Sequence, residues 1–235
     1  MATWVTHLMI ADEILKIFPI LKRQEFCVGS IAPDCNVENA DFTEFTPPRS
    51  VTHFMGGERK SISDAERFYG EYINSKKFDS SNEHSFLLGY YAHLLTDAEF
   101  LKYIRDEKRV ADSFERIRSV PELYEKANKL PENFDTIKSL IPKSERMKDI
   151  HTIEAEYLEK NPNSSYLTEI IPLRYFPDHI DILPKGAIVR KIGVMGYIPK
   201  KEKSEYPFVC ISREEYKAFI DSSVSLISQK LSSIL

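Results

Sequence analysis

Six histidines are present in this chain of 235 residues, and one of them, His93, precedes Asp97 by four positions within a helical pattern. Residues four apart lie on one face of a helix, so an imidazole nitrogen and a carboxylate oxygen can converge there. These are donors that a divalent metal prefers. Gly89, one turn earlier, costs about 1 kcal/mol within a helix, which indicates that something approaches closely there. Taken alone, this spacing is more often a surface pair or a buried hydrogen bond.

Three further residues are candidate ligands for the same site. Asp34 follows a short apolar stretch and Pro33, His53 comes after an acidic loop, and His7 lies within the first predicted helix. Each has a structural alternative, namely a turn residue, a loop residue and a core histidine. Between Arg23 and Arg49 there are acidic residues but no Lys or Arg, which is typical of a solvated face and also suits a bound cation.

Four short segments carry these residues in a fixed order. The segments are Trp4 with Thr6-His7, Gly29-Ser30-Ile31-Ala32-Pro33-Asp34, Thr52-His53-Phe54 and Leu88-Gly89-Tyr90-Tyr91-Ala92-His93-Leu94-Leu95-Thr96-Asp97. This ordered set resembles the zinc-dependent phospholipase C family, whose fold is shared by the fungal single-strand-specific nucleases. The resemblance implies an α-helical fold, a polynuclear zinc site and phosphoesterase activity.

Residue by residue, the resemblance implies that Asp34, His53, His93 and Asp97 bind one metal. It further implies that His7 binds a second metal, with Asp97 bridging the two. We expect one or two zinc ions, although mixed nitrogen and oxygen ligands also suit iron, manganese or nickel. Asp34 and Asp97 are the expected catalytic residues, and Asp34 is the carboxylate that would orient the attacking water.

The chain departs from the classical enzymes of this family at two places. In those enzymes the mature chain begins at the tryptophan, whose amino group and carbonyl bind metal, whereas three residues precede Trp4 here. Further histidines and an HxxxE pair complete a third metal site in the classical enzymes. Here the next histidine is His151, with Glu154 three positions later and Ala155 at the position that the pair requires. A full three-metal cluster is therefore not expected.

Cationic residues flank His53 and could neutralise the charge of a bound phosphate. They are Arg49, Arg59 and Lys60, for which surface solubility is the alternative explanation. The predicted function is hydrolysis of a small phosphoester by metal-activated water. The alternative is a metal-binding or sensing protein that keeps the fold without turnover. A serine hydrolase is the weakest hypothesis, because the chain has no Gly-x-Ser-x-Gly element.

The elements that must position these residues are mostly helical. Apolar spacing, three capping boxes and the prolines predict several helices. The first covers 6–18, the second runs from 63 to about 75, and the third from about 82 to 104. Three or four helices are predicted between there and 162, and one more after 212. Residues 34–48 are predicted to form a loop, and the Val and Ile content near 186–211 indicates a small β-hairpin or an irregular excursion. The predicted architecture is a mostly α, single-domain bundle over 1–235, with a metal-site half at 1–105 and a helical remainder at 106–235.

Composition narrows the class of protein. The 32 Lys and Arg against 36 Asp and Glu give a net charge of −4, which argues against sequence-independent nucleic-acid binding. With 42% hydrophobic residues, the chain is neither disordered nor fibrous. No apolar stretch approaches the ~20 residues of a membrane span. Because the start of the chain lacks signal-peptide features and the three cysteines lack metal-ligand spacing, we expect a soluble, cytoplasmic protein. The oligomeric state is not predicted.

Overall fold

The computed structural model describes residues 2–56, 62–74 and 80–235, most of which are helical. The α-helices are α1 (Trp4–Ile17), α2 (Arg23–Gly29), α3 (Arg49–Thr52), α4 (Ala65–Phe68), α5 (Ser81–Tyr103), α6 (Glu107–Arg118), α7 (Pro121–Ala127), α8 (Phe134–Leu140), α9 (Lys143–Lys160), α10 (Ala187–Met195) and α11 (Arg213–Ser232). A 3₁₀ turn covers Ala32–Asp34, and π-helical segments cover Tyr69–Asn74 and Tyr166–Ile170. Strands β1 (Val37–Glu38) and β2 (Phe45–Thr46) pair antiparallel. The predicted mostly α fold is confirmed.

The chain divides into two compact units. The first comprises Met1–Ala98, Pro162–Tyr197 and Ser222–Leu235, and the second comprises Glu99–Asn161 and Ile198–Asp221. The organisation predicted from the sequence, one domain with halves at 1–105 and 106–235, stays a prediction. No described helix combines the length and the apolar character that a bilayer-spanning segment needs.

Two of the three predicted capping boxes begin helices as expected. Ser80 Oγ accepts a hydrogen bond from the N–H of Glu83 at 3.2 Å, next to the first residue of α5. Ser212 and Glu215 cap α11 reciprocally, with N-to-O distances of 3.1 and 2.6 Å. At the third position the prediction was wrong by one residue, because the carboxylate of Asp64 caps α4 instead of the hydroxyl of Ser63.

The predicted β-hairpin near 186–211 does not form, and this prediction was wrong. Residues 187–195 are α10, whose buried positions include Ala187, Ile188, Lys191 and Ile192, a helical repeat. Helical spacing of the buried face therefore overrode the β-propensity of Val and Ile. The two described strands lie instead at 37–38 and 45–46, inside the segment that was predicted to be a loop.

Helices α2 and α5 approach each other backbone to backbone. A Cβ atom added to Gly29 would lie 2.0 Å from the carbonyl oxygen of Phe86 on α5. Conversely, a Cβ added to Gly89 would lie 2.1 Å from the carbonyl oxygen of Phe26 on α2. The glycine at position 89, which is costly within a helix, is thus explained by this crossing, and the crossing places the end of α2 beside the middle of α5.

The hairpin of β1 and β2 is tied to α10 by a buried ion pair. Lys191 Nζ lies 2.6 Å from Glu38 Oε2, both side chains are 3% exposed, and Arg190 reaches the other carboxylate oxygen at 3.0 Å. The hydrogen bonds from Lys191 and Arg190 lower the pKa of Glu38 to about 2. These contacts hold the segment that connects Asp34 to Arg49.

In the second unit, α9 fixes the irregular segment 198–212 through buried carboxylates. Glu145 accepts a hydrogen bond from the N–H of Glu205 at 2.8 Å, and Asp149 accepts one from Phe208 at 3.0 Å. Burial, with a smaller contribution from the charge of Glu145, raises the pKa of Asp149 to about 6. Arg109 of α6 holds the same segment through the carbonyl of Cys210 at 2.8 Å.

Candidate metal centre

All five predicted ligands lie in the first unit, and four separate elements deliver them. His7 projects from α1, and Asp34 ends the 3₁₀ turn that follows α2. His53 is the residue directly after α3, while His93 and Asp97 lie one turn apart on α5. The four residues other than Asp34 are buried, and the side chain of Asp34 is 9% exposed. The structure therefore brings together residues that are up to 90 positions apart in sequence.

Donor atoms of four of these side chains lie 3.3–3.8 Å apart in four pairs. His53 Nε2 lies 3.3 Å from His93 Nε2 and 3.3 Å from Asp34 Oδ1. Asp97 Oδ2 lies 3.6 Å from His53 Nε2 and 3.8 Å from His93 Nε2. Donors about 2.0–2.1 Å from a tetrahedral zinc ion are themselves about 3.4 Å apart. The observed separations match that value closely.

Hydrogen bonds on the far side of the two imidazoles orient the rings. His93 Nδ1 lies 2.8 Å from the carbonyl oxygen of Ser30, which can only accept, so Nδ1 carries the proton. In the neutral His93 ring, Nε2 therefore presents a lone pair toward His53 and the carboxylates. His53 Nδ1 lies 2.9 Å from Thr52 Oγ1, and the tautomer that donates to this hydroxyl would also turn an Nε2 lone pair toward His93.

His7 lies beside this set, against the other oxygen of Asp97. The His7 ring stacks on the His93 ring with a centroid distance of 3.9 Å and an angle of 8°. Its two nitrogens are buried without a hydrogen-bond partner among the described residues, and Nε2 lies 3.6 Å from Asp97 Oδ1. The N–H of Ala2 donates to the same oxygen at 3.1 Å. Asp97 thus contacts His7 and Ala2 through Oδ1, and His53 and His93 through Oδ2.

The electrostatics favour a neutral His93 ring and ionised carboxylates. Burial, with a smaller contribution from the neighbouring His7 ring, lowers the pKa of His93 to about 3. Burial opposes ionisation of Asp34 and Asp97, but contacts with His53 and His7 respectively hold both carboxylate pKa values well below the usual range. Neutral imidazole and ionised carboxylate are the forms that bind metal.

Of the three predicted phosphate-binding cations, the structure describes Arg49. The guanidinium of Arg49 spans the two carboxylates, with Nη2 2.7 Å from Asp97 Oδ2 and Nη1 3.3 Å from Asp34 Oδ1. One third of the Arg49 side chain is exposed. Arg59 and Lys60 lie outside the described residues.

Some partners at this site were missed by sequence reasoning. The carbonyl of Ser30 and the hydroxyl of Thr52 orient the imidazoles, and both residues belong to the segments that carried the resemblance. The backbone of Ala2, not that of Trp4, contacts Asp97. His151, on α9, contacts Glu202 at 3.3 Å in the second unit.

Comparisons with known proteins agree with this geometry. Residues 6–99 match the model of a family described as zinc dependent phospholipase C. No curated protein and no solved structure matches the chain. The matched segment contains all five clustered side chains. The resemblance predicted from the ordered motifs is thereby confirmed by a match to the zinc-dependent phospholipase C family over residues 6–99.

Proposed function

We propose that the protein is a metal-dependent phosphoester hydrolase, with zinc as the expected metal. Asp34, His53, His93 and Asp97 would hold one ion, and His7 faces the second oxygen of Asp97. The observation that carries this proposal is the convergence of two imidazole Nε2 atoms, 3.3 Å apart, with two carboxylates. Nitrogen and carboxylate oxygen donors gathered in this way are what a divalent metal binds.

Zinc, when bound, acts as a Lewis acid and lowers the pKa of a coordinated water to about 7. The chain's own residues complete the chemistry. Asp34 has the more exposed of the two carboxylates, and we expect it to orient the attacking water and to accept its proton. Asp97 is fixed through both oxygens and holds the site together. The partly exposed guanidinium of Arg49 supplies positive charge toward a phosphate.

The substrate class follows from this charge pattern and from the family. A phosphodiester or phosphomonoester carries the negative charge that the metal and Arg49 would neutralise. The family's description makes a phospholipid a candidate substrate. For the location we expect the cytoplasm, and for the substrate a small phosphoester.

Metal analysis and a chelator-dependent assay test this function. Purified protein should contain zinc and should hydrolyse bis-p-nitrophenyl phosphate or a phospholipid, and a chelator should abolish the activity until zinc is restored. His53→Gln should lose both metal and turnover, whereas the control His151→Gln should keep both. Bound metal without chelator-sensitive turnover on any phosphoester would instead favour the metal-binding or sensing alternative. Protein that binds no metal would contradict both.

A further inference from the structure

Arg49 occupies an unusual place for a cation, directly on the carboxylates that are the proposed metal ligands. It begins α3, one helical turn before His53, and its two terminal nitrogens contact Asp97 at 2.7 Å and Asp34 at 3.3 Å. A guanidinium is charged at every relevant pH and has a rigid fork of donors. The two carboxylates therefore share one permanent positive charge whether or not a metal is bound.

The described side chains supply one full set of metal donors and only part of a second. The two groups that could hold an ion are His7, His93 and Asp97, and Asp34, His53 and His93. They share His93, whose single free nitrogen can bind one ion. Once that nitrogen is taken, the described side chains leave His7 Nε2 and Asp97 Oδ1 for another ion. Protein zinc sites use three or four protein ligands.

We infer that Arg49 is the second cation of this site and that the protein holds a single tightly bound divalent ion. The inference rests on the proposed function, since it assumes that a metal binds to the first set. Two carboxylates, one guanidinium and one divalent ion sum to a charge of about +1, which suits a bound phosphate. In two-metal hydrolases the second ion supplies this extra charge. Here an arginine supplies it, independently of the metal concentration.

Zinc and phosphate titrations of the full chain test this role. Wild-type protein freed of metal should bind one zinc ion per chain. Arg49→Gln should bind zinc about tenfold more tightly, because a like charge beside the ion is removed. The same variant, loaded with zinc, should bind inorganic phosphate about tenfold more weakly, because a charge-assisted hydrogen bond is lost.

Two further variants separate charge from geometry and from general effects. Arg49→Lys keeps the charge but cannot bridge both carboxylates, so we expect one zinc ion, a zinc affinity near that of wild type and weaker phosphate binding. Arg213→Gln removes an arginine of the second unit that pairs with both oxygens of Glu156, and it should change neither titration. Circular dichroism spectra establish that each variant is folded, and Arg49→Lys carries the test if Arg49→Gln does not fold.

Particular results would overturn the inference. Two or more tightly bound zinc ions in the wild-type protein would do so and would leave the proposed function intact. Zinc and phosphate affinities of Arg49→Gln within twofold of wild type would also overturn the inference and leave the proposed function intact. Wild-type protein that binds no divalent metal would overturn the proposed function, and this inference with it.

Discussion

Replacing Gly89 with alanine tests how the helix crossing supports the metal centre. The new Cβ would lie 2.1 Å from the carbonyl oxygen of Phe26 and 3.0 Å from the nitrogen of Ser30. Ordinary contact requires about 3.4 Å, so α2 and α5 must move apart by about 1 Å. That movement stretches the 2.8 Å hydrogen bond between His93 and the Ser30 carbonyl toward its breaking distance.

The magnitude follows from three contributions. Overpacking of a core costs about 1–3 kcal/mol, and a buried imidazole N–H left without a partner costs about 1–3 kcal/mol. Alanine regains about 1 kcal/mol of helix propensity. We therefore expect Gly89→Ala to lower the free energy of unfolding by about 1–5 kcal/mol. Because the His93 ring loses the contact that orients it, zinc content should also fall.

Urea unfolding followed by circular dichroism, together with metal analysis, measures both effects. The matched control is Gly193→Ala, since Gly193 lies inside α10 and a Cβ there meets nothing within 4 Å. That substitution should leave the zinc content unchanged and should stabilise the protein by up to about 1 kcal/mol. If Gly89→Ala were as stable as wild type and kept its zinc, the role assigned to the crossing would be wrong.

Three other predictions concern the site and the second unit. Asp97→Asn should lower metal content more than His151→Ala, because Asp97 contacts the other candidate ligands and His151 contacts Glu202. Equal losses in metal analysis would mean that the site is misassigned. Chelation should lower the melting temperature by about 5–10 °C, because the ion binds the folded state, and an unchanged value after proven metal loss would contradict this. Because burial raises the pKa of Asp149 to about 6, the folded protein retains a proton that the unfolded chain has released. The contribution of Asp149 to the free energy of unfolding should therefore fall by about 1 kcal/mol as pH rises from 4 to 7. Asp149→Asn should remove that fall, and an identical pH dependence in urea unfolding would refute the assignment.

The helices were predictable where local chemistry decides them. Ser80 and Ser212 carry hydroxyls that cap the following helix, and the apolar spacing of α1 and α5 is visible in the sequence. The hairpin predicted near 186–211 failed because β-propensity reflects the surroundings of a residue. Whether Val and Ile fill a strand or a helix face depends on what packs against them, which the sequence does not state.

The candidate ligands were predictable as a set because their order matched a family, and not because any one spacing was specific. The contacts of Arg49 were not predictable in the same way. They depend on the path of residues 34–49, which a two-residue ladder and one buried ion pair determine. The contact between Ala2 and Asp97 was not predictable either. The family pattern assigns a role to the tryptophan, whereas the observed contact is made by the backbone of Ala2.

The ion pair between Lys191 and Glu38 links distant parts of the sequence to the chemistry. Strands of two residues are too short to hold a hairpin in place by themselves, so this anchor sets how Asp34 and Arg49 face each other. A substitution at position 191, outside the segment that matches the family, would thus change how the metal ligands are positioned. Surveys of natural variants that consider only residues near the histidines would overlook it, and efforts to graft the centre onto another scaffold must carry α10 along.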